Sequence, residues 1–388
     1  MSVGTACGAV QYLETEGWTQ ELIGANDSKS KHSQRLGYRS TSSGRQWATG
    51  RQVLGPRHLL TDERPEDMIG SNVHRKAAMN NASIYIGISG WRYPPWRGVF
   101  YPEGLPQRAE LSYVASLLPS LEINGSFYSL QRPSRYAQWY AQTPPGFVFA
   151  VKASRYITHI LRLREATAAS ANFFASGLFE LREKLGPILW QFPPSLKFDA
   201  ALFEDFLAGL PHDTQAAAKL AKQHDERMAQ MGEPPSLKPH GKRRLRHAIE
   251  IRHDSFACPE FIELARRYGV AVVVADTAGR WPYLEDVTAD FMYLRLHGDE
   301  TLYASGYTDK ALDRWAERIR AWADGGEPAD AARAGSRSAP AAKARDIYCY
   351  FDNDIKVRAP FDSQGLMTRL GLQWKPAVSE VEDGASPA

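Results

Sequence analysis

The sequence predicts a single (β/α)8 TIM barrel, and three observations predict it. Eight short apolar runs begin near Ile84, Leu121, Phe147, Ile188, Ala248, Ala271, Phe291 and Ile347. Most are followed by a stretch of helical periodicity, the alternation expected of a parallel sheet wrapped by helices. The runs also end in chemically capable residues: Ser89, Glu122 with Asn124, Lys152, Gln191, Glu250 with Arg252 and His253, Asp276, Arg295 with His297, and Asp352-Asn353-Asp354. In a parallel barrel the catalytic side chains gather at the C-terminal ends of the strands.

The chain has 388 residues, and one barrel typically uses about 250. Residues 1–80 are rich in Ser, Thr, Gly, Arg and Asn, and segments such as Asn26–Gly37 and Ser40–Gly50 carry too little apolar surface to offset the entropy of ordering. They are expected to be a disordered extension. Met79 stands just before the first strand, so an over-called start is favoured over a regulatory tail. The barrel is expected over residues 83–374. Its strands are read as Ile84–Ile88, Leu121–Asn124, Phe147–Val151, Pro187–Phe192, Ala248–Arg252, Val270–Ala275, Phe291–Leu296 and Ile347–Phe351. Pro193-Pro194 end the fourth, because proline cannot donate to a sheet ladder.

The helices are expected over Arg108–Leu118, from Ser134 behind Pro133, over Ala166–Leu185, Ala200–Leu210 with a second piece at Thr214–Met231, Pro259–Tyr268, Thr308–Ala323 and a short Ser363–Leu370. Two polar insertions interrupt the pattern. One spans about 211–246 and ends in an exposed connection carrying Lys242, Arg243, Arg244 and Arg246. The other, about 324–345, is largely Ala, Gly, Ser, Pro and Arg, a composition that predicts a flexible surface loop. The tail 375–388 is read as disordered.

Composition narrows the function classes. A net charge of +3 is too small to imply nucleic-acid binding without a local patch. The three cysteines, Cys7, Cys258 and Cys349, form no C-x-x-C pair and suggest neither a disulfide framework nor a zinc ribbon. No apolar stretch approaches the roughly 20 residues of a membrane span, and the N-terminus lacks a signal pattern. A soluble cytoplasmic protein without a membrane partner is expected.

Strand side chains alternate between faces. If Ile249 and Ile251 face the helices, Glu250 and Arg252 point to the barrel interior, and the same parity turns Tyr293, Arg295 and His297 inward. Glu122 with Asn124, Lys152 and Gln191 join them. Arg252, Arg295 and Lys152 against Glu122 and Glu250 leave a slight positive surplus, which favours an anionic ligand.

The segment Gly87-Ile88-Ser89-Gly90-Trp91, with Tyr93, Trp96, Gly98 and Phe100-Tyr101-Pro102, makes the chain recognisable. So do Glu122-Ile123-Asn124-Gly125-Ser126-Phe127-Tyr128, Leu189-Trp190-Gln191-Phe192-Pro193-Pro194, Arg246-His247-Ala248-Ile249-Glu250-Ile251-Arg252-His253, Tyr293-Leu294-Arg295-Leu296-His297-Gly298 and Tyr350-Phe351-Asp352-Asn353-Asp354. Over about residues 83–374 the chain resembles the YecE-like family, a domain of unknown function. The resemblance implies a TIM barrel and no established reaction. Two mild departures from the family are Phe256, where members often carry Trp, and Asp352, where they often carry Asn.

Several residue types fit chemistry at such a mouth. His297 and His253 suit proton transfer near neutral pH, with Glu250 and Glu122 as base or orienting group. Arg252, Arg295 and Lys152 suit an anion, since arginine forks grip phosphate or carboxylate. Asn124, Gln191, His159 and Asn353 are further ligand contacts, and Trp91 and Tyr128 suit stacking on a ring. No cofactor is expected. A divalent ion shared by Glu250, His297 and Asp276 is a minor alternative. The leading reading is an enzyme on a phosphorylated or otherwise anionic sugar- or nucleotide-like substrate. A nucleic-acid-binding or repair-associated barrel is the second, and a non-catalytic small-molecule binder the third. No oligomeric state is read from the sequence.

Overall fold

The computed structural model describes residues 82–376 apart from 340, 341 and 343. The extension expected over residues 1–80 and all but the first two residues of the expected tail lie outside the described residues. Nine parallel strands are arranged in the order β6-β5-β4-β3-β2-β1-β9-β8-β7. They are β1 (Ile84–Ser89), β2 (Ser120–Ile123), β3 (Val148–Lys152), β4 (Leu185–Gln191), β5 (His247–Glu250), β6 (Ala271–Val272), β7 (Val274–Asp276), β8 (Phe291–Leu296) and β9 (Asp346–Phe351). Only Val273 separates β6 from β7, and its N–H still donates to the Ile249 carbonyl at 2.9 Å. The single strand expected at Val270–Ala275 is therefore two short pieces at one barrel position. One pairs with β5 and the other with β8, so the ends of the sheet order meet on one segment.

The helices α1 (Glu110–Leu117), α2 (Pro133–Ala141), α3 (Thr167–Ala175), α4 (Ala200–Ala208), α5 (Thr214–Ala221), α6 (Pro259–Arg267), α7 (Asp309–Ala323) and α8 (Ala359–Leu370) surround the sheet. Sequence sets their starts. Pro133 and Pro259 open α2 and α6, where the missing N–H costs nothing. The Asp199, Asp213 and Thr308 side chains accept backbone N–H groups at the starts of α4, α5 and α7.

The expected helix over Ala166–Leu185 breaks after α3. Gly177 adopts φ 131°, and a Cβ there would sit 2.6 Å from the Pro133 Cα, so only glycine admits the close approach to α2. A 3-10 turn over Leu178–Lys184 follows. The piece expected over Thr214–Met231 likewise ends as a helix at Ala221, with a 3-10 turn over Glu226–Met231.

Strand parity divides the core in two. Outward residues such as Ile86, Ile88, Leu121, Ile123, Ile249 and Leu294 pack with the helices. A smaller set fills the barrel: Ala150, Leu189, Ala248, Val273, Ala275, Phe291, Tyr293, Tyr348 and Tyr350. Directly C-terminal to it, on the same parity, come Lys152, Gln191, Glu250, Arg295, His297 and Asp352.

Between β7 and β8 the chain from Thr277 to Asp290 forms no helix. The second insertion covers that position. Buried Glu285 accepts the Ala332 N–H at 2.8 Å and pairs with Arg318 at 3.1 Å, and its own N–H donates to the Ala332 carbonyl at 2.7 Å. Asp286 accepts the N–H groups of Ala334 and Gly335 at 2.8 and 2.9 Å. The flexible loop expected from composition is thus corrected. Two buried acids of the β7–β8 loop hold its backbone, beside ion pairs such as Asp330 with Arg318 that the segment makes itself.

Candidate functional site

Arg295 organises the C-terminal mouth. It is fully buried near the end of β8, and its guanidinium meets three carboxylates at the C-terminal ends of β2, β5 and β9. Nε and Nη2 donate to the two Glu122 oxygens at 3.1 and 2.9 Å, Nη1 to Glu250 at 2.6 Å, and Nη2 to Asp352 at 2.7 Å. Nη2 also reaches the Ser89 hydroxyl at 3.0 Å. Ser89 donates to Glu122 and accepts from Asn124 Nδ2 at 2.9 Å, while the Tyr293 hydroxyl donates to Glu122 at 2.6 Å. Every donor of this guanidinium is directed at protein.

Charge decides the ionisation states around it. The pull of Arg295 and then Arg252 outweighs burial and holds Glu250 far below the usual carboxylate range. Asp352 is held at about 2 against the push of burial, first by Arg295 and then by His297. Burial and Arg295 push His297 down, so its ring is neutral; Nδ1 lies 3.0 Å from Asp352 and Nε2 3.5 Å from Arg295 Nη1. That arrangement assigns the proton to Nδ1. Burial and the neighbouring Asp352 raise Asp354 to about 7, so two carboxyl groups two residues apart hold opposite protonation tendencies near neutral pH.

Around this hub lies a half-open rim. Arg252 gives Nε to Glu250 at 2.8 Å, and its guanidinium stacks 3.8 Å above the Trp281 ring. His159 contacts Thr158 Oγ1 at 2.8 Å and Gln191 Nε2 at 3.4 Å, and burial with the charge of Lys152 lowers it to about 4. The Lys152 ammonium lies 4.2 Å over the Phe127 ring, on which His159 also packs edge-on at 5.1 Å. Tyr128 is exposed beside Phe127, and Tyr303 packs edge-on against His297 at 5.3 Å.

The structure therefore brings together Glu122, Asn124, Lys152, His159, Gln191, Glu250, Arg252, Arg295 and His297, with Tyr128 at the edge. Three other expectations are corrected. Trp91 is buried in the outer core against Trp139, because the loop after Gly90 folds back and Tyr101 bonds the Trp91 carbonyl. His253 turns away to cap the turn Asp254–Phe256, its Nδ1 accepting the Ser255 N–H at 3.1 Å. Asn353 is fully buried and ties Asp362 to the Ser305 carbonyl at 2.7 and 3.0 Å.

The expected positive surplus also disappears, since Asp352 is a third inward carboxylate. The alternation Tyr348, Tyr350 along β9, continued by Asp352 one residue past its end, carried that signal. Asp354 is the other residue that sequence reasoning left without a role at this mouth.

Among the described residues no group of three His, Cys, Asp or Glu is arranged to hold a metal ion. Glu250 is engaged by two arginines, and Asp276 accepts from the Tyr307 hydroxyl at 3.1 Å. Of the basic run, Arg244 pairs with Asp290, Arg246 with Asp346 at 2.7 Å, and Lys242 with Asp213 at 3.5 Å. No helix of the described residues is long and apolar enough to cross a membrane.

The sequence profile described as "Protein of unknown function DUF72" matches residues 85–385. The UPF0759 protein YunF of Bacillus subtilis (strain 168) is 30% identical over 116 residues, 29% of this chain and 40% of the relative, so the match spans less than half of that curated protein. The crystal structure of a DUF72 family protein from Thermotoga maritima superposes with a TM-score of 0.53 at 23% identity, covering 74% of this chain and 99% of the other. A DUF72 family protein from Enterococcus faecalis V583 gives 0.54 at 17% identity, covering 75% and 96%. At these identities the structural likeness establishes the barrel.

Proposed function

The chain belongs to the DUF72 family of proteins of unknown function, and from that premise we propose that its barrel mouth is an enzyme active site for a small anionic substrate, a phosphorylated or otherwise anionic sugar- or nucleotide-like molecule. One observation carries the reading: two cations at the mouth keep unused donors. Arg252 gives only Nε to protein, and its two terminal nitrogens make no hydrogen bond among the described residues. Lys152 Nζ has no ion pair or hydrogen bond there either, although the side chain is nearly fully buried. These unused donors face the mouth rather than a protein acceptor, and a bound phosphate or carboxylate supplies the partner they lack.

The roles divide accordingly. Arg252, held flat on Trp281, receives the anion as a fork. Arg295 with Glu122, Glu250 and Asp352 forms a rigid charged floor that fixes those side chains. Neutral His159 and Asp354, the acid whose proton is retained near neutral pH, are the groups suited to moving protons at the rim. Tyr128 and Tyr303 offer faces for a ring.

The test is calorimetric titration of the full chain at pH 7 and low salt with inorganic phosphate and a panel of sugar phosphates. At least one should bind. Arg252→Met should weaken that binding by at least about tenfold, the loss of one charged hydrogen-bonding group, with the circular dichroism spectrum unchanged. Absence of binding by every anion, or wild-type affinity in the variant, defeats the proposal.

A further inference from the structure

Resting on the anion-binding reading above, we infer that Lys152 is a covalent catalyst that forms an imine with the substrate, which makes the substrate an anionic aldehyde or ketone such as an open-chain sugar phosphate. Three features of its surroundings set Lys152 apart from an ion-pairing lysine. It stands at the C-terminal end of β3 on the inward face, where reacting groups of a parallel barrel converge. Glu122, Glu250 and Asp352 crowd the same mouth, yet each is committed to Arg295 and none pairs with Lys152. Its amine packs on the Phe127 ring, with the charges of Arg295 and Arg252 acting on it.

Burial first, and then the charge of Arg295, lower the ammonium to about 8. A minor fraction of the amine, far larger than for an ordinary lysine and growing as pH rises, therefore keeps its lone pair near neutral pH. Lysines made nucleophilic in this way owe it to desolvation or a neighbouring cation, and Lys152 has both. Its neighbour His159 shares the Phe127 ring and is neutral, able to take a proton and return it.

The step balances without an oxidant. The Nζ lone pair attacks the carbonyl carbon and the carbonyl π pair moves to oxygen, which takes a proton, giving a carbinolamine after nitrogen loses one. The C–O bond then breaks, its oxygen leaving as water with a proton from the rim acid, while the nitrogen lone pair closes the C=N bond. Amine and carbonyl give imine and water. The protonated imine draws electrons from the adjacent carbon, which eases proton removal or C–C cleavage there.

The experiment is reductive trapping. The full chain is incubated with dihydroxyacetone phosphate or ribose 5-phosphate, with and without sodium cyanoborohydride, and peptides are mapped by mass spectrometry. A reduced adduct concentrated on Lys152 is expected, forming faster as pH rises through about 8 and lost in Lys152→Arg. Adducts confined to exposed lysines such as Lys197 and Lys222, or none, overturn the inference, and mapping of the wild-type chain decides this whether or not the variant folds. Phosphate binding without trapping overturns the imine and leaves the anion site standing. Trapping on Lys152 that is equally fast with uncharged dihydroxyacetone overturns the anion site and leaves the imine standing.

Discussion

Arg295 shows how one side chain can be a structural necessity at what looks like a ligand site. A lone buried charge costs several kcal/mol, and removing one partner from a buried ion pair typically costs about 3–5 kcal/mol. Arg295→Met strands Glu122 and Asp352, while Glu250 keeps Arg252. The variant should therefore lose about 3–5 kcal/mol in urea unfolding at pH 7. The deficit should shrink toward pH 4, where the stranded carboxyls can take protons. An unchanged urea midpoint at pH 7 means that the network adds nothing to the fold. Much of this hub was legible from strand parity, which turned Glu122, Glu250, Arg295 and His297 inward together. What parity could not show is where an arginine's donors go. That depends on the third carboxylate, Asp352, and on distances between strands far apart in sequence.

At the scale of elements, apolar runs located the strands to within a residue or two, because burial on both faces leaves little freedom in a parallel sheet. Ile84–Ile88 became Ile84–Ser89, and Ile347–Phe351 became Asp346–Phe351. The loops were less legible. Composition alone marked 324–345 as flexible, since its partners Glu285 and Asp286 sit in another loop some 40 to 50 positions away. Trp91 was misplaced for a similar reason, as an aromatic residue after a strand can line a mouth or plug a core. The Glu285 anchor makes a separate prediction. Glu285→Ala leaves Arg318 with only the exposed Asp330 and frees the Ala332 N–H. Trypsin should then cut at Arg333 and Arg337 at much lower enzyme ratios than in the wild type. An unchanged digestion pattern would show that the segment holds without the Glu285 anchor.

For the whole molecule, the depressed histidines set how stability responds to acid. His247, fully buried between Trp190 and the Pro211 carbonyl, is lowered to about 4 chiefly by burial, and His159 likewise, while His297 is lowered by burial and Arg295. An unfolded chain protonates its histidines near 6.5. Below about 6.5 the unfolded state therefore binds more protons at these three sites, down to about 4 for His247 and His159, and stability falls as pH falls. Asp354 works the other way, since its raised value of about 7 lets the folded chain hold a proton the unfolded chain lacks between about 4 and 7. Asp276 and Asp362, both raised chiefly by burial, stand on the same side as Asp354, so the histidines leave only a shallow net loss. His159 is partly solvated, which discounts its share, so the slope should be at most about 1 kcal/mol per pH unit. Urea midpoints measured from pH 7.5 to 5 should fall steadily. His247→Gln should lower the whole curve by removing a packed ring but flatten its slope, because one proton no longer distinguishes the two states. Asp354→Asn should steepen it. A level stability curve across that range would mean that the buried imidazoles titrate alike in the folded and unfolded chains.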